Sequence, residues 1–342
     1  MKAKLLWLAL PLALALTACS PGGGQQADGR PTEVTLLNAS YDPTRELYQA
    51  YNPLFQQYWR QKTGQEVSIR QSNGGSGKQS LAVMNGLKAD VVTLALAGDI
   101  DALNKGGKEL VNPQWQKALP DNSTPYTSTI VFLVRKGNPK GIHDWGDLVK
   151  GDVKVITPNP KTSGGARWNF LAAWAWARHQ PGGSDVSAKQ FVGELYRRVP
   201  VMDAGARAST ISFTRRGLGD VLLAWENEAY LAVQQSAGEL EIVTPPLSIL
   251  CEPPVAVVDA NVEAKGTRAI ATEYLQQLYS EDAQRIIAEH FYRPANPKIR
   301  AEFKDRFPSL NLVSIDREFG GWSKAQQQFF ADGGVFDQIY KK

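Results

Sequence analysis

Between Glu33 and Ala95 short apolar runs alternate with helical periodicity, and this alternation restricts the fold more than any other feature of the chain. Glu33–Asn38 reads as a first strand. A polar turn at Asp42-Pro43-Thr44 leads into a helix over about 45–62. Its Leu47, Tyr48, Tyr51, Phe55 and Trp59 recur at helical spacing. Glu66–Arg70 reads as a second strand, followed by a glycine-rich turn and a helix carrying Leu81, Met84 and Leu87. Asp90–Ala95 is again an apolar run of strand length. Strand, helix, strand, helix, strand is the order of a parallel sheet with crossover helices.

A second series follows. Thr127–Val134 predicts a buried strand, Val153–Ile156 another, and the segment from Thr162 a helix with Trp168, Leu171 and Trp174 on one face. Gly217–Ala229 reads as a glycine-capped turn into a further helix, and Pro254–Asp259 as a strong strand. Helices are expected over 267–278 and 280–290. The expected organisation is α/β in two lobes, 33–134 and 135–247, with 248–342 returning to the first lobe and ending in helices. The two strong strands near 127–134 and 254–259 bracket the second lobe. Such a pair makes a two-stranded hinge, which permits closure over a ligand.

Residues 1–18 have the form of a signal peptide: Lys2 and Lys4, then an apolar run from Leu5 to Leu16. Leu16-Thr17-Ala18-Cys19 matches the bacterial lipobox, which implies cleavage before Cys19 and lipidation of its sulfur. Residues 19–32, rich in glycine and proline, read as a tether to a membrane outer face. No later stretch of 18 apolar residues occurs, so a polytopic membrane protein is excluded. Of 38 basic residues against 34 acidic ones, two belong to the leader, and the small remaining excess does not fit a nucleic-acid binder. Cys19 and Cys251 are the only cysteines, which rules out a disulfide framework and a thiolate zinc site. His143, His179 and His290 lie far apart without paired ligand spacing, so no metal is expected.

Three segments share one design: Ser72–Lys78, Thr162–Arg167 and Ala204–Thr210 each place glycine, serine or alanine at the start of a helix. A helix start presents unpaired N–H groups and about half a positive charge. Glycine lets the backbone approach closely, and a serine hydroxyl adds a donor. Any one of these segments is explained as a capped helix start; three on two lobes point to an anion. Gly77-Lys78 is not a P-loop, because Ser72 stands where the first glycine is needed and Gln79 where a magnesium-binding Ser or Thr is needed. Lys78 likewise breaks the esterase elbow around Ser76. Trp225 is followed at once by Glu226-Asn227-Glu228, and its indole N–H is a donor only.

Leu37–Glu46, Asn73–Gln79, Thr127–Pro139, Thr157–Asn169, Gly217–Glu228 and Phe319–Trp322 closely resemble the periplasmic sulfate-binding proteins. The resemblance runs from residue 33 to nearly the end. It implies a type II periplasmic-binding-protein-like fold, and a receptor that delivers its anion to the membrane permease of an ABC importer. It also implies anion contacts at Asp42 through its backbone N–H, and at Ser76, Ser163, Gly164, Gly165, Ala206 and Trp225. Asp42 and Ser76 would lie on one lobe and the others on the second. The implied protein is an extracytoplasmic monomer without cofactor or catalytic activity. Thiosulfate is the closest rival ligand.

Sulfate at neutral pH only accepts hydrogen bonds. Seven bonds to a charged group give on the order of 10–20 kcal/mol gross, against about 8 kcal/mol net for micromolar binding. A protonated phosphate facing only donors should be rejected, and affinity should be nearly flat between about pH 5 and 8. An extracytoplasmic hydrolase of sulfate or phosphate esters would need a nucleophile with a base, or metal ligands, and the sequence offers neither constellation. A structural lipoprotein or adhesin is the remaining alternative.

Overall fold

The computed structural model describes residues 33–340, so Cys19 and the tether lie outside the described residues. The first sheet has the order β2-β1-β3-β9, with β1 Glu33–Tyr41, β2 Glu66–Gly74, β3 Val91–Thr93 and β9 Val255–Val257. β1, β2 and β3 are parallel, as the alternation requires, and β9 runs antiparallel on β3 with Ala256 opposite Val92. Helix α1, Arg45–Thr63, crosses from β1 to β2 and ends where Gly64 takes φ 72°, a left-handed cap that favours glycine. Its Tyr48, Tyr51 and Phe55 are packed with Leu36, Val67, Tyr274 and Leu275 in one core. Helix α2, Ser76–Met84, crosses from β2 to β3. It buries Ser76, Gln79, Ser80 and Val83 while the expected core residue Leu81 is exposed, because Val83 packs with Ala39 and Val92 of the first sheet and the Ser80 hydroxyl donates to the Asp99 carbonyl at 2.7 Å.

The second sheet is gathered around β4, Tyr126–Arg135. Its first half pairs with β8, Ser248–Cys251, and with β10, Arg293–Pro294. Its second half pairs with β6, Val221–Trp225, and with β7, Leu240–Val243. β5, Val155–Ile156, lies parallel to β6, and β11, Leu312–Val313, parallel to β8. The chain thus enters the second unit along β4 and leaves it along β8, where Ser128 stands opposite Cys251. The strand near 254–259 is β9 and already belongs to the first sheet; the hinge partner of β4 is the preceding strand β8.

Two other expectations are corrected. Val221–Trp225 is a buried strand, and the helix begins only at Glu226, running to Gln235. A five-residue apolar run fits a helix start or a central strand equally well, and pairing to β4 on one side and β5 on the other decides for the strand. The segment beyond residue 312, grouped with the first lobe from sequence, packs against the helix Gly164–Arg178 of the second unit. That helix is buried nearly all round, so its aromatics need a second cover. Trp322 meets Trp168 at 4.6 Å between ring centroids, Phe329 meets Trp174 at 4.8 Å and Phe330 meets Phe170 at 5.3 Å.

Candidate functional site

Three helix starts and the end of β1 converge between the two sheets. Gly75 is the N-cap of α2, Ser163 of the helix Gly164–Arg178, and Gly205 of the helix Ala206–Thr214. Asp42 opens a short 3-10 turn directly after β1. The approaches are too close for any side chain at the glycines. A Cβ on Gly164 would lie 2.5 Å from the Ala95 Cβ and 3.1 Å from the Ser76 Cβ. One on Gly165 would lie 2.1 Å from Tyr41 Oη and 3.6 Å from Trp225 Nε1, and one on Gly205 would lie 2.8 Å from Asp42 Oδ2. All seven positions singled out from the sequence therefore lie about one locus: Ser76 against Gly164, which follows Ser163, Gly165 against Trp225, and Asp42 against the start at Ala206. A cavity of about 10 Å³ lined by Gly165, Ala206 and Trp225 lies within it.

The locus is buried and rich in donors. Ser76 and Ser163 are fully buried, and Trp225 nearly so. The Ser76 Oγ accepts the Ala95 N–H at 3.0 Å and the Ser163 Oγ accepts the Ala166 N–H at 3.4 Å. With those lone pairs occupied by backbone donors, each hydroxyl proton is available to a ligand. Trp225 Nε1 is buried without a hydrogen-bond partner. Such an atom is expensive unless something pairs with it. The arrangement suits a desolvated group that accepts hydrogen bonds from several directions.

Residues 44–293 match the family described as bacterial extracellular solute-binding protein. The chain belongs to that family. It is 58% identical over 311 residues to the sulfate-binding protein of Escherichia coli K12, covering 91% of this chain and 94% of that one. It is 50% identical over 306 residues to the thiosulfate-binding protein of Pseudomonas aeruginosa, covering 89% and 92%. Among solved structures it is similar to the sulfate-binding protein SubI of Mycobacterium tuberculosis H37Rv, with TM-score 0.78 and 34% identity over 86% of this chain and 99% of that one.

In this solute-binding protein the arginines that follow the two glycine-led starts of the second unit are committed to carboxylates. Arg167 Nη1 meets Asp99 Oδ1 at 2.6 Å, both residues buried, and its Nε donates to the Pro160 carbonyl at 2.9 Å. Asp99 lies on helix α3, Ala97–Asp101, which packs with the first sheet, so this ion pair crosses between the units. Arg207 holds both carboxylate oxygens of Glu46 at 2.8 Å and those of Glu228 at 2.8 and 3.1 Å, and the Glu46 contact also crosses. Trp168 Nε1 donates across to the Ala95 carbonyl at 2.7 Å. None of these ties is singled out by the sequence pattern. The available signal was an arginine directly behind each glycine-led helix start.

Asp42 changes one expectation. Its carboxyl reaches the second unit, where Oδ2 accepts the Arg207 backbone N–H at 3.2 Å and Oδ1 is buried without a partner. Burial, reinforced by the Glu228 charge and opposed by Arg207, pushes it up from 3.8 to about 6. The locus thus contains a titratable acceptor beside its donors, with the buried Glu228 carboxyl, itself pushed up by burial, lining the same cavity, and a flat pH response no longer follows.

Proposed function

We propose that this protein captures sulfate between its two lobes and delivers it, unchanged, to the membrane permease of an ABC importer. The anion is held by the backbone N–H groups of Asp42, Gly164, Gly165 and Ala206, the hydroxyls of Ser76 and Ser163 and the indole of Trp225. The observation that carries this reading is Trp225 Nε1, buried and unpartnered where the helix starts meet. The identity to the sulfate-binding protein of E. coli supports sulfate as the anion. Thiosulfate is the second reading, favoured by the 50% identity to a thiosulfate-binding protein. Closure moves residues 33–134 and the returning β9 against residues 135–247. The protein works as an extracytoplasmic monomer anchored through Cys19, with no catalytic step.

Titration calorimetry with sulfate and thiosulfate tests both ligands. Trp225→Phe should weaken sulfate binding by about tenfold to a hundredfold, the range of one hydrogen bond to a charged group. Wild-type affinity in this variant would remove the indole from the site.

Sulfate affinity should also respond to pH. The closed form holds a proton on Asp42 up to about pH 6, whereas an open form with a hydrated carboxyl releases it near its ordinary value of 3.8. Binding is therefore strengthened as pH falls through about 6, by up to about tenfold per pH unit, and this gain is lost as pH rises to a plateau above. Asp42→Asn should flatten the profile. An unchanged profile in that variant would assign the titration elsewhere.

A further inference from the structure

We infer that the Tyr41 hydroxyl is a further donor to the captured anion and the wall that fits the site to its size. The inference rests on the proposed capture of sulfate at this locus. Tyr41 is the last residue of β1, immediately before Asp42, and is fully buried. Its ring stands edge-on to Trp225, with centroids 5.1 Å apart and an interplanar angle of 65°. Its hydroxyl stands 2.1 Å from the place a Cβ of Gly165 would take, and Trp225 Nε1 stands 3.6 Å from the same place. Both polar atoms are buried; Trp225 Nε1 has no hydrogen-bond partner, and Tyr41 Oη makes no well-formed hydrogen bond, with the Ser163 hydroxyl beside it. A phenol usually finds a partner when buried. Two donors that converge at one helix start are served more simply by a single shared acceptor than by two.

The neighbours fix the role of this hydroxyl. Burial, together with the Asp42 and Glu228 charges, holds it protonated far above the ordinary range, while hydrogen bonding with the Ser163 side chain works the other way. It is therefore a neutral donor at every working pH, in keeping with the serines and the indole. It comes from the first unit, whereas Ser163, Gly165 and Trp225 belong to the second, so the contact forms only on closure. The absence of a side chain at residue 165 is what lets the hydroxyl reach the helix start.

Calorimetry on Tyr41→Phe, Gly165→Ala and the double variant tests this, with thermal unfolding of each protein free of sulfate. Tyr41→Phe should bind sulfate about tenfold to a hundredfold more weakly, while its unliganded thermal midpoint does not fall. Gly165→Ala should lose more, because its methyl collides with the hydroxyl, and the double variant should recover to the level of Tyr41→Phe alone. Wild-type affinity in Tyr41→Phe overturns the inference and leaves the sulfate reading standing. A fall in unliganded midpoint that accounts for the lost affinity also overturns it, since the hydroxyl then serves the protein's own bonding. Wild-type protein that binds no sulfate overturns both.

Discussion

Gly75→Ala should fold normally and lose sulfate binding by more than about a hundredfold, or roughly 2.7 kcal/mol. The backbone at Gly75 has φ −56° and ψ 137°, which alanine adopts without strain. A methyl there would nevertheless stand 2.6 Å from the Thr162 carbonyl oxygen and 3.0 Å from that of Ala204. Both are backbone atoms of the opposite lobe and have no rotamer by which to withdraw. The collision exists only in the closed form, so it acts on the equilibrium between open and closed states rather than on folding. Small-angle scattering should show wild type contracting with sulfate and the variant keeping its open radius. Near-wild-type affinity would mean that the lobes meet elsewhere.

Arg167→Ala should weaken sulfate binding by about a hundredfold to several thousandfold. Removing one partner of a buried ion pair costs about 3–5 kcal/mol, because the other charge is left dry and uncompensated. Here the stranded group is Asp99, whose second oxygen already lacks a partner. In an open form water reaches Asp99, so the cost falls on closure and the unliganded thermal midpoint should hardly move. Replacing both residues by apolar ones, as in Arg167→Met with Asp99→Leu, should restore much of the loss. A large drop in unliganded stability with unchanged affinity would make the pair a folding element and refute the assignment.

The first lobe was legible because its signals are local. Helix α1 carries Leu47, Tyr51 and Phe55 on one face and stops at a left-handed glycine, so periodicity and punctuation agree. The three glycine-led starts of the candidate site were legible for the same reason, each announcing a close backbone approach within a few residues, whereas the individual anion contacts, Asp42 above all, came from the family resemblance. What was not legible is long-range. Val221–Trp225 becomes a strand only because β4 lies beside it. The aromatics after residue 312 leave their expected lobe because Trp168, Phe170 and Trp174 need covering. The pairing of Arg167 with Asp99 spans 68 positions, and no spacing rule reaches that far. Asp42 was assigned through its backbone alone, since the burial that lifts its carboxyl exists only where Gly205 and Arg207 close over it.

The parallel run of β1, β2 and β3 has a practical consequence. Their C-terminal ends feed Asp42, Ser76 and Ala95, so every strand of the trio delivers its last residues to the cleft. Glu33 begins β1 at the opposite pole, and nine extended residues separate it from the cleft by about 30 Å. A bead, an electrode or a fluorophore coupled ahead of Glu33 would stand clear of the mouth and of both closing rims. The molecule is thus oriented for immobilisation by its leading end, with the capture face turned outward as the sensing surface.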